Sequence, residues 1–390
     1  MEVIDGNSAI AEAIKQIGPD VVISYPQIPS ISILESIASF IANGEMDSEF
    51  LNVDSDYSAM SACIGVAASG GRAFTATASQ GLALMHETLF IASSLRLPIV
   101  MGITNRALAA PINFNADHSD SMAQRDSGWI QIFSENSQEA YDNIIQAFKI
   151  AENKEVRTPV MVGIDSTFNF NVHENVYVQT NDEILEFENK PDSNYSILDI
   201  ENPKTVGSFC TPDYFFEHKI NQNKGIESSR KIIKDVGREF GDRFNRYYGY
   251  FETYKLEDAE FAVILMSSAA GIAKKAIDAM RKKGEKVGLL KLRVFRPFPY
   301  KELRESLSNL KSIAVLDRVL TPGTYGGPLF IETMAALYGL EKRPLVYPYI
   351  YGLGGRDIML KHIEDIFDDI KKSFNNEKSN FEIKYINLRE

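Results

Sequence analysis

At 390 residues the chain is too long for one ordinary core and long enough for two, and a composition of 44% hydrophobic and 24% charged residues argues against disorder. A net charge of -12, with no block of Lys and Arg, argues against a nucleic-acid binder, because phosphate recognition draws on a basic face. Cys63 and Cys210 are isolated, which argues against a disulfide framework, a zinc site or an iron–sulfur cluster held by this chain alone.

The first half alternates helix-like and strand-like segments, as parallel α/β sheets with both faces covered do. Asn7 to Ile17 reads as an amphipathic helix, followed by the β-branched strand Asp20 to Ser24. The helix Ile31 to Ala42 stops at Asn43-Gly44, the strand Phe50 to Val53 follows, and Ala59 to Ser69 is a helix of small residues. Strand Ala73 to Thr77, helix Leu82 to Ser94, strand Pro98 to Thr104, helix Ala140 to Ala151 and strand Pro159 to Ile164 continue the alternation. From about 170 to 255 the chain is polar and charge-rich until a helix-like run from Ser228 to Tyr247. A second α/β unit reads from the strand Ala259 to Met266 through the helix Gly271 to Lys283 and the strands Val287 to Leu292 and Lys311 to Leu316, and closes with the helix Ile358 to Phe374. The expected division is an α/β domain over 1–190, a connecting arm over 191–255, a smaller α/β domain over 256–375 and a charged tail over 376–390. The N-terminus has no signal-like pattern and no stretch approaches the roughly 20 apolar residues of a membrane span, so a cytoplasmic protein with no membrane contact is the simplest reading.

Ligands of open α/β sheets lie at the carboxyl ends of strands, and several polar groups fall there. Asp54 and Asp56 follow the strand ending at Val53, and Asp56 is the first carboxylate to question. The loop Tyr25-Pro26-Gln27-Ile28-Pro29-Ser30 serves either as pocket lining or as a rigid connection. Arg106, after Thr104-Asn105, suits a bidentate contact to a carboxylate or phosphate, with a plain surface arginine as the alternative. The cluster around Asp117-His118 has no metal spacing and no nucleophile elbow, and reads first as a structural polar network. Ser267 to Gly271 opens a helix in the manner of an anion site, while Gly323 to Pro328 and Gly352 to Asp357 are glycine-rich turns suited first to an interface, with a ligand approach as the alternative. A Rossmann-type oxidoreductase would need a Gly-x-Gly-x-x-Gly run that is not found.

Three segments in order carry a resemblance: Phe74 to Glu87, with Thr75-Ala76-Thr77-Ala78-Ser79-Gln80-Gly81 at its heart; Asp117 to Asp126; and Val294-Phe295-Arg296-Pro297-Phe298-Pro299. With them the chain, from Gly6-Asn7 to Gly354-Gly355-Arg356-Asp357, resembles the alpha subunit of 2-oxoacid:ferredoxin oxidoreductases. The resemblance implies a thiamine-diphosphate-binding-type parallel sheet domain facing the aminopyrimidine ring, plus a smaller α/β domain like the C-terminal domain of transketolase. It implies oxidative decarboxylation of a 2-oxoacid (pyruvate or a related acid) to acyl-coenzyme A and CO₂, with electrons passed to ferredoxin. It also implies partners: beta, gamma and delta-type subunits, separate or fused, that bind the diphosphate with its Mg²⁺ and carry the iron–sulfur clusters.

Carried over by matching motif, Asp56 falls where the family places the carboxylate that activates the cofactor. Ile28 falls where a Thr contacts the substrate carboxylate, and Arg106 where an Arg does the same. Pro26, Ser79, Gln80 and Gly81 would line the cofactor, and Gln27 joins Ile28 in the substrate pocket; no metal ligand falls on this chain. Two positions depart from the family pattern, which has Glu at Asp56 and Ile-Thr at Gln27-Ile28, and Tyr57 replaces a common His. Asp is shorter by about 1.5 Å, and a misplacement near 1 Å costs on the order of 100-fold in rate. Replacing Thr by Ile removes a hydroxyl and adds apolar volume, which points either to a bulkier or more apolar 2-oxoacid than pyruvate or to a shifted substrate carboxylate held by Arg106. A non-catalytic paralogue that scaffolds its partners is the competing reading.

Overall fold

The computed structural model describes residues 1–168, 172–189, 196–375 and 382–389. Two sheets organise it. The first has seven strands in the order Val294–Arg296, Ile130–Ser134, Val160–Asp165, Val100–Asn105, Ala73–Thr77, Val21–Ser24 and Glu49–Asn52. All neighbours are parallel except Val294–Arg296, which pairs antiparallel with Ile130–Ser134. The central strands are buried along their whole length, as a sheet covered on both faces requires. One face is filled by Ile10, Ile14, Ile33, Ile37, Ile144 and Phe148 from the helices Gly6–Ile17, Ile31–Ala42 and Ser137–Glu152. The other is filled by Met60, Cys63, Leu82, Leu89 and Trp129.

Caps set where these helices begin. The Asp5 carboxylate accepts from the Ser8 amide and the Ser55 hydroxyl accepts from the Ser58 amide, satisfying amides that the first helical turn leaves unpaired. The second cap starts the helix Asp56–Ala68 three residues ahead of the expected Ala59 and places Asp56 in its first turn. Strand order reverses at Val21–Ser24, whose chain successors lie on opposite sides of it: Glu49–Asn52 on one, Ala73–Thr77 on the other. The loops leaving these strands therefore open onto the crevice where such sheets bind ligands.

The second sheet runs Lys384–Tyr385, Leu345–Ile350, Ser312–Asp317, Phe261–Met266, Val287–Leu292 and Phe251–Tyr254, with the last strand antiparallel. Ile264, Leu290, Ile313 and Leu329 pack one face, and Val263, Leu289, Ile277 and Phe367 the other. The helix Pro212–Phe244 is longer than the Ser228 to Tyr247 segment read from sequence, and its second half, through Ile233, Val236 and Phe240, joins the core of the first unit. Among the described residues no helix is long and apolar enough to cross a membrane.

Candidate functional site

Asp56 is 3% exposed, and the Thr77 hydroxyl donates to its Oδ1 at 2.7 Å. The carboxylate lies against the backbone of Gly81, where a Cβ would come within 2.4 Å of Asp56 Oδ1 and of Thr77 Oγ1. Glycine at 81 is thus a steric condition for this carboxylate's position. Burial raises the Asp56 pKa from its ordinary value, with the Thr77 hydrogen bond opposing. The result is a carboxyl group at a helix N-terminus, readier than a surface aspartate to hold a proton.

Arg106 follows the strand Val100–Asn105 and is 5% exposed. Its Nη2 donates to Gln80 Oε1 at 2.5 Å, the Phe114 ring lies 4.8 Å from the guanidinium carbon, and Nε and Nη1 are buried with no partner among the described residues. Burial lowers the Arg106 pKa and the nearby Asp120 opposes it; an arginine stays charged under such a shift. Asp120 organises the backbone around it. It accepts from the amides of Ser79 (3.1 Å), Arg106 (3.0 Å) and Ser121 (2.7 Å) and from Asn105 Nδ2 (2.8 Å). Burial nevertheless pushes its pKa up to about 6. Ser79 sits at φ 49°, a left-handed conformation that non-glycine residues adopt at a cost, and its hydroxyl is held by Ala107 O and Gln80 Oε1.

The structure therefore brings Asp56, Ser79, Gln80, Gly81 and Arg106 into one connected group. Pro26, Gln27 and Ile28 stand at its rim: Ile28 is 51% exposed, Pro26 is exposed and Gln27 half-buried. Their loop is tied to the site by Asn7, whose Nδ2 donates to Pro29 O at 2.9 Å and whose Oδ1 accepts from Thr104 Oγ1 at 2.9 Å. Sequence reasoning gave Asn7, Thr77 and Asp120 no individual role. A polar residue at the start of an apolar helix was the available signal for Asn7, and the run Asp117 to Asp120 was the signal for Asp120.

Other polar clusters find most of their partners within the chain, with His118 Nδ1 and Ser267 Oγ buried and without a partner among the described residues. The helix Ala269–Lys282 expected to present an anion site already has its anion: the Ser268 amide donates to Asp165 Oδ2 at 3.2 Å, and Arg318 Nη1 joins the same oxygen at 2.8 Å. His118 Nε2 lies 2.8 Å from Asp165 Oδ1. Glu135, Glu139 and Glu252 converge as metal ligands would, but the Lys291 ammonium sits among them.

Comparison with known proteins bears on the chain's family and fold. Residues 12–238 match the family model described as pyruvate flavodoxin/ferredoxin oxidoreductase, thiamine diphosphate-binding, and residues 259–363 match the pyruvate:ferredoxin oxidoreductase core domain II. The chain is 44% identical to the pyruvate synthase subunit PorA of Thermotoga maritima, covering 99% of this chain and 98% of that one. It is 46% identical to PorA of Methanocaldococcus jannaschii, over 96% and 95%. It is 44% identical to the ketoisovalerate oxidoreductase subunit VorA of Pyrococcus abyssi, over 100% and 98%. In fold it resembles the 2-oxoglutarate:ferredoxin oxidoreductase of Magnetococcus marinus, with a TM-score of 0.70 at 17% identity, covering 96% of this chain and 65% of that longer one. It also resembles a split-gene transketolase, with a TM-score of 0.54 at 10% identity, covering 96% and 98%. The chain belongs to the 2-oxoacid:ferredoxin oxidoreductase family, as an alpha subunit whose enzyme works within a complex.

Proposed function

We propose that Asp56 is the carboxylate that hydrogen-bonds the aminopyrimidine ring nitrogen of a thiamine diphosphate shared with a partner subunit, and that Arg106 anchors the carboxylate of a 2-oxoacid. When bound, thiamine diphosphate supplies the nucleophilic carbon that adds to the 2-oxo group and the electron sink for loss of CO₂. The residues present fit such a group. A buried carboxyl of raised pKa favours sharing a proton with a ring nitrogen, and Gly81 leaves the space that brings the two together. Arg106 offers two unpaired donors, and the charge-assisted bonds they would make to a carboxylate are the strong kind. Ser79, Gln80 and Gly81 line the cofactor, with Pro26 at its edge; Ile28 and Gln27 face the substrate side chain.

Apolar side chains left exposed at this end of the sheet support a covering partner. Ile28, Leu51, Tyr57, Leu84, Ile112 and Phe114 all follow or flank the carboxyl ends of parallel strands and range from 38% to 70% exposed. The assignment of that partner as a beta subunit holding the diphosphate and Mg²⁺ follows the family pattern. So do gamma and delta-type subunits with iron–sulfur clusters, ferredoxin as electron acceptor and coenzyme A as acyl acceptor. In the substrate pocket Ile28 replaces a hydroxyl by apolar volume, which favours a 2-oxoacid with an apolar side chain larger than a methyl group.

The observation that carries the reading is the Asp56 carboxylate, buried and seated on Gly81; a chain kept only as a scaffold has no need of that cradle. Turnover of pyruvate, 2-oxobutyrate, branched 2-oxoacids and 2-oxoglutarate by the assembled complex is the test, together with Asp56→Asn. Branched or longer apolar acids are expected to give the highest kcat/KM, and Asp56→Asn to lower kcat by at least about 100-fold. Strict pyruvate preference would overturn the substrate reading. Full activity in Asp56→Asn would overturn the role of the carboxylate.

A further inference from the structure

We infer that the glycine turn of the second α/β unit, Gly352 to Gly355, positions the substrate anchor of the first: Gly354, Gly355 and Asn113 are positioning residues acting on Arg106 through Phe114. The inference rests on Arg106 being the carboxylate anchor. Between Arg106 and His118 the chain leaves the first sheet and is strapped to the second unit. Asn113 Nδ2 donates to Gly354 O at 3.1 Å, the Gly355 amide donates to Ala116 O at 2.8 Å, and the Gly354 amide donates to Asp117 Oδ2 at 3.3 Å. The His118 amide donates to Arg318 O at 2.9 Å, and Arg318 Nε donates to Gly352 O at 3.2 Å, so strap and turn share an arginine.

The contact is too close for any side chain. A Cβ on Gly355 would lie 2.3 Å from Asn115 Cβ, and one on Gly354 would lie 2.6 Å from Asn113 Nδ2. Both glycines also have positive φ, 60° and 79°, so the turn is shaped for this approach twice over. Asn113 Oδ1 in turn accepts from the Asn115 amide at 2.7 Å, and the Ala107 amide donates to Asn115 O at 3.3 Å, which closes residues 107–115 into a loop with Phe114 beside the closing pair.

The Phe114 ring is what Arg106 leans on. With Nε and Nη1 unpaired, the guanidinium is held by Gln80 on one side and by the Phe114 ring across its face. Phe114 is itself 53% exposed, and the residues on either side of it are tied in two directions, Asn115 O to Ala107 of the first unit and the Asn113 side chain to Gly354 of the second. Displacing the turn shifts Phe114, frees Arg106 to change rotamer, and weakens carboxylate binding before it touches Asp56. The second unit thereby sets substrate affinity without contributing an atom to the reaction.

The test uses the assembled complex with Gly355→Ala, Asn113→Ala, Arg106→Lys and the pair Gly355→Ala/Asn115→Gly. Gly355→Ala is expected to raise the KM for the preferred 2-oxoacid about tenfold while kcat and thiamine diphosphate affinity change less than about twofold, a misplacement effect confined to binding. Asn115→Gly removes the Cβ that the new methyl strikes and is expected to recover much of that KM. Asn113→Ala introduces no backbone strain, is expected to raise KM about threefold, and carries the test if Gly355→Ala fails to assemble. An unchanged KM in Asn113→Ala and in assembled Gly355→Ala, alongside a raised KM in Arg106→Lys, would refute the clamp and leave the anchor standing. A parallel fall of kcat, cofactor affinity and thermal midpoint in Gly355→Ala, with no recovery from Asn115→Gly, would equally refute it. An unchanged KM in Arg106→Lys would refute the anchor itself.

Discussion

Asp56 and Gly81 make one unit at the residue scale, because the carboxylate occupies the volume that any side chain at 81 would need. Gly81→Ala places a methyl 2.4 Å from Asp56 Oδ1 and Thr77 Oγ1, and overpacking of this kind costs about 1–3 kcal/mol where the neighbours cannot yield. The neighbour that can yield is the carboxylate, so the expected outcome is a loss of kcat on the order of 100-fold with a small change in thermal midpoint. Asp56→Glu meets the same wall from the other side: its extra methylene has to leave the Thr77 hydroxyl, and kcat is expected to fall about tenfold or more rather than rise. Steady-state kinetics with thermal unfolding of each assembled variant checks both, and a rise of kcat in Asp56→Glu would show that the pocket still fits the longer acid. Asp56 and Arg106 stand out in sequence as ionisable residues after strand ends, Arg106 with a plain surface arginine as the alternative, while Ser79, Gln80 and Gly81 are named only through the family resemblance. The contacts are not legible: nothing in the spacing says that Asp120, 41 residues from Ser79, holds its amide, or that Asn7 fastens the loop bearing Ile28 to Thr104.

At the scale of elements, the buried parallel strands and amphipathic helices of both units could be read from periodicity, and the exceptions have physical causes. Ile130–Ser134 is five residues long and fully buried, so it shows no alternation and lies unnoticed in a polar connection. Leu345–Ile350 contains Pro348, which argues against a strand; on its outer edge the two-residue strand Lys384–Tyr385 pairs with Tyr349 and Ile350, and among the described residues no strand pairs with Pro348 on that edge. The helix Pro212–Phe244 begins with an exposed half that carries no apolar stripe, and glycines interrupt its buried half. Those glycines are contacts rather than breaks. A Cβ on Gly237 would lie 1.8 Å from the Tyr248 carbonyl oxygen, and one on Gly241 would lie 2.1 Å from the Tyr247 ring. Gly237→Ala gains helix propensity of about 1 kcal/mol and still is expected to destabilise, because the atom it strikes is backbone and cannot swing away. The measurement is the thermal midpoint of the isolated chain, expected to fall; a rise would mean that the helix stands off from residues 247–248.

For the whole molecule, the junction between the two sheets combines a buried charge network with an apolar cluster that Met122 and Phe133 of the first unit share with Ile264, Met266 and Leu292 of the second. Asp165 ends a strand of the first sheet, is 0% exposed, and is held by His118 from its own unit and by Ser268 and Arg318 from the second. Burial alone would raise its pKa, yet Arg318 and then His118 outweigh burial and hold it well below the usual carboxylate range. A depressed folded pKa means that the stability Asp165 contributes is fully present above its unfolded value near pH 4 and is lost as pH falls through the folded value. Other buried carboxyls slope the opposite way. Asp120, pushed up to about 6, and Glu188 and Asp317, pushed up to about 7, cost stability progressively as pH rises from about 4 to 7. The Asp165 contribution is therefore read below pH 4, as the difference between wild type and Asp165→Asn, where wild type is expected to lose thermal midpoint more steeply. Arg318→Ala strips the carboxylate of its main partner and leaves a buried charge held only by His118 and Ser268, at a cost of up to about 3–5 kcal/mol at neutral pH. Adding Asp165→Asn to Arg318→Ala removes that under-compensated charge and is expected to restore part of the loss. If the double variant is no more stable than Arg318→Ala alone, the junction is held by packing around Arg318 and not by its charge.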